Sequence, residues 1–177
     1  MKKLIILFML TPFFFASCDK IKDATTEDFY TTLRMEIPVE VVDTTTTEKS
    51  TNASYSFSVS QTESLESNEK IQDYLDLLKL IEVTDVDIDF SGLVNEQVIE
   101  TIELSIENVG TIATIENVSA SNPTHHPEIN SSVLINIANL LYHEKKLKMT
   151  VSGTTNAAPM NFVVDTSFDL HIEASPL

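Results

Sequence analysis

Glycine and tryptophan are scarce in this chain, which has 3 glycines and no tryptophan among its 177 residues. Glycine-rich phosphate loops need several glycines at fixed spacing, and neither GxGxxG nor GxxxxGK[ST] occurs. We therefore expect no nucleotide ligand. The lack of tryptophan, with only 4 tyrosines, also removes the usual aromatic platform for sugars and weighs against a carbohydrate-acting enzyme.

Positive charge is also scarce, because 11 lysines and arginines stand against 27 aspartates and glutamates, for a formal net charge of −16. An acidic surface repels nucleic acid, and no basic patch offsets it. We therefore expect no nucleic-acid partner. The same charge opposes electrostatic docking to anionic lipid.

Cysteine occurs once, at Cys18, directly after an apolar segment. Lys2 and Lys3 begin the chain with positive charge, and residues 4–15 carry none. A basic start followed by a short apolar run is typical of a secretory signal peptide, and the run is too short to cross a bilayer as a helix. The small residues Ala16 and Ser17 stand just before the cysteine.

The tetrapeptide Phe15-Ala16-Ser17-Cys18 resembles the lipobox of bacterial lipoproteins, with Phe15 in place of the commonest leucine. The resemblance covers residues 1–18 and implies cleavage before Cys18 and attachment of lipid to its thiol. A membrane would then be a partner through that lipid. Loss of residues 1–17 changes the formal charge from −16 to −18, and lipidation of Cys18 excludes disulfides and thiol catalysis.

Residues 19–32 are polar and acidic, and we interpret residues 18–32 as the lipidated cysteine and a flexible tether. The acidic start at Asp19 resembles that of envelope lipoproteins from Bacteroidota, where such residues favour export to the cell surface. In enteric bacteria, an aspartate directly after the cysteine retains the protein in the inner membrane instead. We favour the outer membrane or cell surface.

Residues 33–177 are predicted to form a single, mainly β domain: an antiparallel β-sandwich of about seven strands with two short helices. Apolar and polar residues alternate from Leu33 to Val41, which indicates a strand with one buried face. Pro38 lacks an N–H, so this strand should lie at a sheet edge. Alternation near Tyr55–Val59 suggests its hairpin partner. Helical spacing of apolar residues predicts helices at about 69–80 and 131–143. The closing strands resemble those of many envelope lipoproteins.

Asp85, Asp87, Asp89 and Glu96 have the spacing of EF-hand positions 1, 3, 5 and 12. The glycine required at position 6 is Phe90, however, and the alternation with Val86 and Ile88 places the three aspartates on the exposed face of a strand. Whether they bind a cation stays open. His125 and His126 are adjacent and should point apart, and His143 and His171 stand alone. We predict no catalytic residue, cofactor or metal site.

The favoured function is a non-enzymatic binding module on the membrane, with a protein or glycan partner in the envelope or outside the cell. Two alternatives remain. One is a carbohydrate-acting or other hydrolytic accessory protein whose carboxylates converge in a pocket. The other is a purely structural lipoprotein.

Overall fold

The computed structural model describes residues 26–43 and 54–176. Eight strands and one helix follow in the order β1 (Glu27–Val41), β2 (Tyr55–Ser64), β3 (Leu78–Ser91), β4 (Val98–Ile106), β5 (Gly110–Ser119), β6 (Thr124–His125), α1 (Ser131–Glu144), β7 (Lys146–Thr155) and β8 (Met160–Ala174). Two single 3-10 turns, Leu65–Ser67 and Gln72–Tyr74, connect β2 to β3.

The strands form two antiparallel sheets of four strands each. Sheet A has the order β1-β8-β3-β6, and sheet B has the order β2-β7-β4-β5. Alternation of apolar and polar residues gives each long strand one buried face. In β1, for example, Leu33, Met35 and Ile37 are each no more than 1% exposed. The predicted mainly β, antiparallel architecture is confirmed.

The buried faces of both sheets contribute to one hydrophobic cluster, which gives the fold its sandwich-like character. Phe57 of sheet B meets Phe162 of sheet A edge to face, with ring centroids 5.4 Å apart. Helix α1 buries Ile137, Ala138 and Leu141 and packs against β3. Among the residues described, no helix is long and apolar enough to cross a membrane.

Helix α1 and the edge position of β1 are as expected. The helix, predicted at about 131–143, spans Ser131–Glu144, and Asn130 caps it by accepting from the Ser132 N–H. Strand β1 lies at the edge of sheet A, as Pro38 predicted. The predicted hairpin of the first two strands is wrong, because β1 pairs with β8 and β2 pairs with β7 in the other sheet.

The predicted helix over 69–80 is also wrong. Only the turn Gln72–Tyr74 forms there, and Leu78 already begins β3. The Asn68 side chain accepts from the Lys70 N–H and donates to the Thr32 carbonyl, so it supports a turn that competes with a helix. Within residues 26–43 and 54–176 there are eight strands rather than about seven. The additional strand, β6, has two residues, too few to show an alternation of apolar and polar residues in the sequence.

Strand β1 begins six residues before the expected start at Leu33. Residues 27–32, which we assigned to the flexible tether, pair in continuous register with β8, from Glu27 opposite Ala174 to Thr32 opposite Asp169. Four of these residues, Asp28, Tyr30, Thr31 and Thr32, contribute to the candidate site.

Candidate binding site

The outward face of sheet A carries most of the ion pairs among the described residues. Antiparallel register aligns side chains of β1, β8 and β3 in rows across the sheet. The rows are Tyr30–His171–Glu82, Thr32–Asp169–Asp85, Arg34–Ser167–Asp87 and Glu36–Asp165–Asp89. Neighbouring strands lie about 4.8 Å apart, so side chains in one row are within direct reach of each other.

His171 lies between two carboxylates, and we call this arrangement the histidine bridge. Its Nδ1 is 2.8 Å from Glu82 Oε2, and its Nε2 is 2.7 Å from Asp28 Oδ1. Both nitrogens can donate only when the ring is protonated. The hydrogen bond to Glu82 is the largest cause that raises the pKa of His171 above 6.5; partial burial opposes it, and the bond to Asp28 adds to it. The bridge thus joins β1, β8 and β3, and protonation of the ring lets both nitrogens donate to the carboxylates.

The ring of Tyr30 stacks on His171, with centroids 4.8 Å apart and planes inclined by 22°. Tyr30 is nevertheless 67% exposed. An aromatic face against a cationic ring is attractive, so the stack holds the tyrosine in place. The result is an oriented aromatic side chain on the outer surface of the sheet.

Beside this tyrosine lies a cleft of about 340 Å³, which we call the outer cleft. It is lined by Tyr30, Thr31, Thr32, Lys70, Thr84, Asp169 and Leu170. The Thr32 hydroxyl donates to Asp169 Oδ1 over 2.8 Å, and Thr84 donates to the Asp169 carbonyl over 3.2 Å. Asp169 Oδ2 accepts from none of the described residues, so one carboxylate oxygen is left for a ligand.

The three aspartates with EF-hand spacing lie on β3 as expected, with Asp85 and Asp89 exposed and Asp87 partly so. Each has its own partner. Asp85 accepts from the Val86 N–H, Asp87 pairs with His126, and Asp89 accepts from Thr124. Within the described ranges, no group of three or more His, Cys, Asp or Glu is arranged to hold a metal ion.

The other histidines lie apart from the histidine bridge. His126, at the β6 end of sheet A, bonds to Asp87, and this bond is the main cause that raises the pKa of His126. His125 Nε2 is 3.0 Å from the Asn122 carbonyl oxygen. His143 lies on α1 and meets the ring of Tyr142 edge to face. Cys18, the predicted lipidation site, lies outside the described residues.

Sequence reasoning missed Asp28, Tyr30 and Thr32 because it placed them in the tether. The period-two pattern that identified β1 extends back to Phe29 and Thr31, both partly buried. Following the alternation across the less apolar Thr31 would have predicted that Asp28, Tyr30 and Thr32 share the exposed face with Arg34. The cross-strand partners His171 and Glu82 could not be found this way, since the sequence does not give strand order.

No protein-family model and no curated protein match the chain. Among solved structures, a chain described as Desmodium yellow mottle tymovirus is similar over 100% of this chain and 97% of that chain, at 8% identity and a TM-score of 0.32. A likeness at this level carries no argument about fold or function.

Proposed function

We propose that this chain is an exported lipoprotein, anchored through Cys18, whose β-sandwich domain is a non-enzymatic binding module. Its ligand occupies the outer cleft. The amino-terminal pattern supports the anchor, and the formal charge of −16 for the whole chain supports a lipid rather than a basic patch as the means of attachment. Each buried CH₂ of such a lipid contributes about 0.8 kcal/mol, so two or three acyl chains hold firmly.

The binding role is supported by the groups that converge on the outer cleft. The cleft is lined by an oriented aromatic ring, hydroxyls, a lysine and a carboxylate with one oxygen already hydrogen-bonded. These groups are not arranged for acid–base chemistry. The adjacent histidine has both ring nitrogens engaged by carboxylates, which leaves no lone pair for a general base. This set suits a ligand that is held rather than converted.

The anchor and the cleft lie close along the chain. Glu27 lies nine positions after Cys18, and an extended chain spans at most about 3.6 Å per residue. The start of β1 therefore lies within about 35 Å of the lipid. Since Asp28, Tyr30 and Thr32 are near that start, the proposed anchor would hold the cleft close to the membrane. We propose that this membrane is the outer membrane or the cell surface.

Protease treatment of intact cells tests the anchored binding module, with the natural protein compared with Cys18→Ala and lipid labelling followed in both. We expect the natural protein to be labelled, to sediment with membranes and to be digested from outside, whereas Cys18→Ala loses label and sedimentation. If the labelled protein resists digestion until the envelope is opened, the domain and its ligand lie inside the envelope. Identical behaviour of both proteins, with no label, would contradict the anchor.

A second candidate function, a hydrolytic accessory protein, is favoured by a different depression of about 210 Å³ that holds two carboxylates, Glu107 and Glu144. Lys148 Nζ lies 3.0 Å from Glu107 Oε1, which commits that carboxylate to an ion pair. Hydrolysis of a glycoside by the natural protein, abolished by both Glu107→Gln and Glu144→Gln, would establish this alternative. The third possibility, a structural lipoprotein, predicts that no ligand is bound.

A further inference from the structure

We propose that the ligand of the outer cleft is a saccharide, with one sugar ring stacked on Tyr30 and its hydroxyls bound by Asp169 and the threonines. This inference rests on the proposed binding role and names its ligand class. It is carried by the juxtaposition of an exposed aromatic ring with a hydroxyl- and carboxylate-lined cleft.

Tyr30 supplies an aromatic platform for a sugar, which the lack of tryptophan had argued against. Among the described residues, the large hydrophobic side chains that are strongly exposed are Tyr30 at 67%, Ile135 at 60%, Val94 at 59% and Val42 at 53%, and Tyr30 alone of these is aromatic. The stack on His171 fixes the ring before any ligand arrives, which lowers the entropic cost of binding. Sugars present C–H groups on one face of the ring, and an aromatic surface covers that face well.

The cleft wall supplies the polar half of the recognition. Asp169 Oδ1 is occupied by Thr32, which orients the carboxylate and leaves Oδ2 to accept from a ligand hydroxyl. Charge-assisted hydrogen bonds of this kind are stronger than neutral ones. Lys70 Nζ lies 3.5 Å from the Tyr30 carbonyl oxygen and supplies a donor at the rim. A sugar has an apolar C–H face and hydroxyls around its edge. The aromatic ring of the cleft matches the face, and the surrounding donors and acceptors match the hydroxyls.

Charge argues against a small anion as the ligand, and the size of the cleft fits a saccharide. An anion such as phosphate would face Asp169, with Lys70 as the cation among the cleft-lining residues. The carboxylates of Glu82 and Asp28 are hydrogen-bonded to the neighbouring His171. The volume of about 340 Å³ is at the lower end of the range of roughly 300–1,000 Å³ for small-molecule sites. It suits one or two sugar rings, such as the end of a longer glycan.

The test uses the mature chain, residues 18–177, on a printed array of neutral and acidic oligosaccharides, followed by calorimetry with the saccharide that is retained best. Tyr30→Leu removes the aromatic platform and should weaken binding at least tenfold, whereas Tyr30→Phe keeps the ring and should bind within about twofold. Asp169→Asn, which keeps the size and removes the charge, should weaken binding about tenfold. Ile135→Ala, an exposed apolar side chain on α1, is the matched control and should leave binding unchanged.

Unfolding midpoints of all four variants are measured beside the affinities, so that a loss of fold is not mistaken for a loss of ligand. Absence of any retained saccharide would overturn the proposal. So would binding by Tyr30→Leu and Asp169→Asn that is as strong as binding by the natural protein. The anchor is tested separately. A lipidated chain that retains no saccharide would contradict this inference alone, and an unlipidated chain that binds through Tyr30 would contradict only the anchor.

Discussion

Replacement of His171 by glutamine should destabilise the fold in a pH-dependent manner. The substitution removes the cationic ring from between Asp28 and Glu82 and leaves the two carboxylates facing a neutral amide. The His171 side chain is only 15% exposed, but Asp28 and Glu82 are 61% and 53% exposed. Solvent therefore screens both pairs, and each contributes about 0.2–1 kcal/mol, as exposed ion pairs do.

The expected loss of stability is therefore about 0.5–2 kcal/mol at low pH, and it corresponds to a fall of roughly 1–8 °C in Tm for a domain of this size. The pKa of His171 is raised in the folded protein above 6.5. A group with a raised folded pKa stabilises fully below its unfolded pKa, and this contribution is lost as the pH rises through the folded pKa. The difference between the natural protein and His171→Gln should be largest near pH 5.5 and shrink towards pH 9.

Thermal unfolding followed by circular dichroism at pH 5.5, 7 and 9 measures this difference. His126→Gln is the control, because His126 also has a raised pKa but its side chain is 69% exposed; its effect should have the same sign and be smaller. A difference for His171→Gln that stays constant from pH 5.5 to 9, or grows with pH, would refute the histidine bridge as a charged contact.

Two further predictions concern the core and are read from thermal or urea unfolding. Thr166 is fully buried and its hydroxyl has no hydrogen-bond partner among the described residues, so Thr166→Val should stabilise by about 1 kcal/mol. The matched Thr155→Val removes a 2.8 Å hydrogen bond to the Ala157 carbonyl and should destabilise the fold by about 1 kcal/mol. A change of the same sign and size in both valine variants would contradict this prediction. At Gly153, an added Cβ would lie 2.1 Å from the Thr101 carbonyl oxygen, so Gly153→Ala should cost about 2–3 kcal/mol, and an unchanged midpoint would show that β4 and β7 are further apart.

The strands that the sequence predicted best are those with strict alternation and strongly apolar inward positions. Strand β1 from Leu33 onward is an example, because a one-residue slip there would expose the whole inner row. The prediction was wrong where inward residues were less apolar, as at Thr31. It was also wrong where a short series of apolar residues fitted both a helix and the start of a strand, as at Ile71–Leu78. The spacing of apolar residues does not distinguish these two structures, which depend on contacts to β1 and α1.

The candidate site was less predictable than the fold, since it depends on which strands are neighbours. His171 and Glu82 are far apart along the chain and meet because β8 lies between β1 and β3. In the sequence, His171 stands alone, and nothing indicates Glu82 as its partner. By contrast, the separate roles of Asp85, Asp87 and Asp89 follow from their place on an extended strand, where consecutive outward side chains point in parallel rather than towards one ion.

Mass spectrometry of the amino-terminal peptide, from protein purified out of its own membranes, tests the central claim of a lipid-anchored module most directly. The account predicts a peptide that begins at Cys18 and carries the mass of a diacylglyceryl group on the thiol, and Cys18→Ala should lack this species. A peptide that contains Ser17 joined to an unmodified Cys18, or one that begins elsewhere without lipid, would contradict the account.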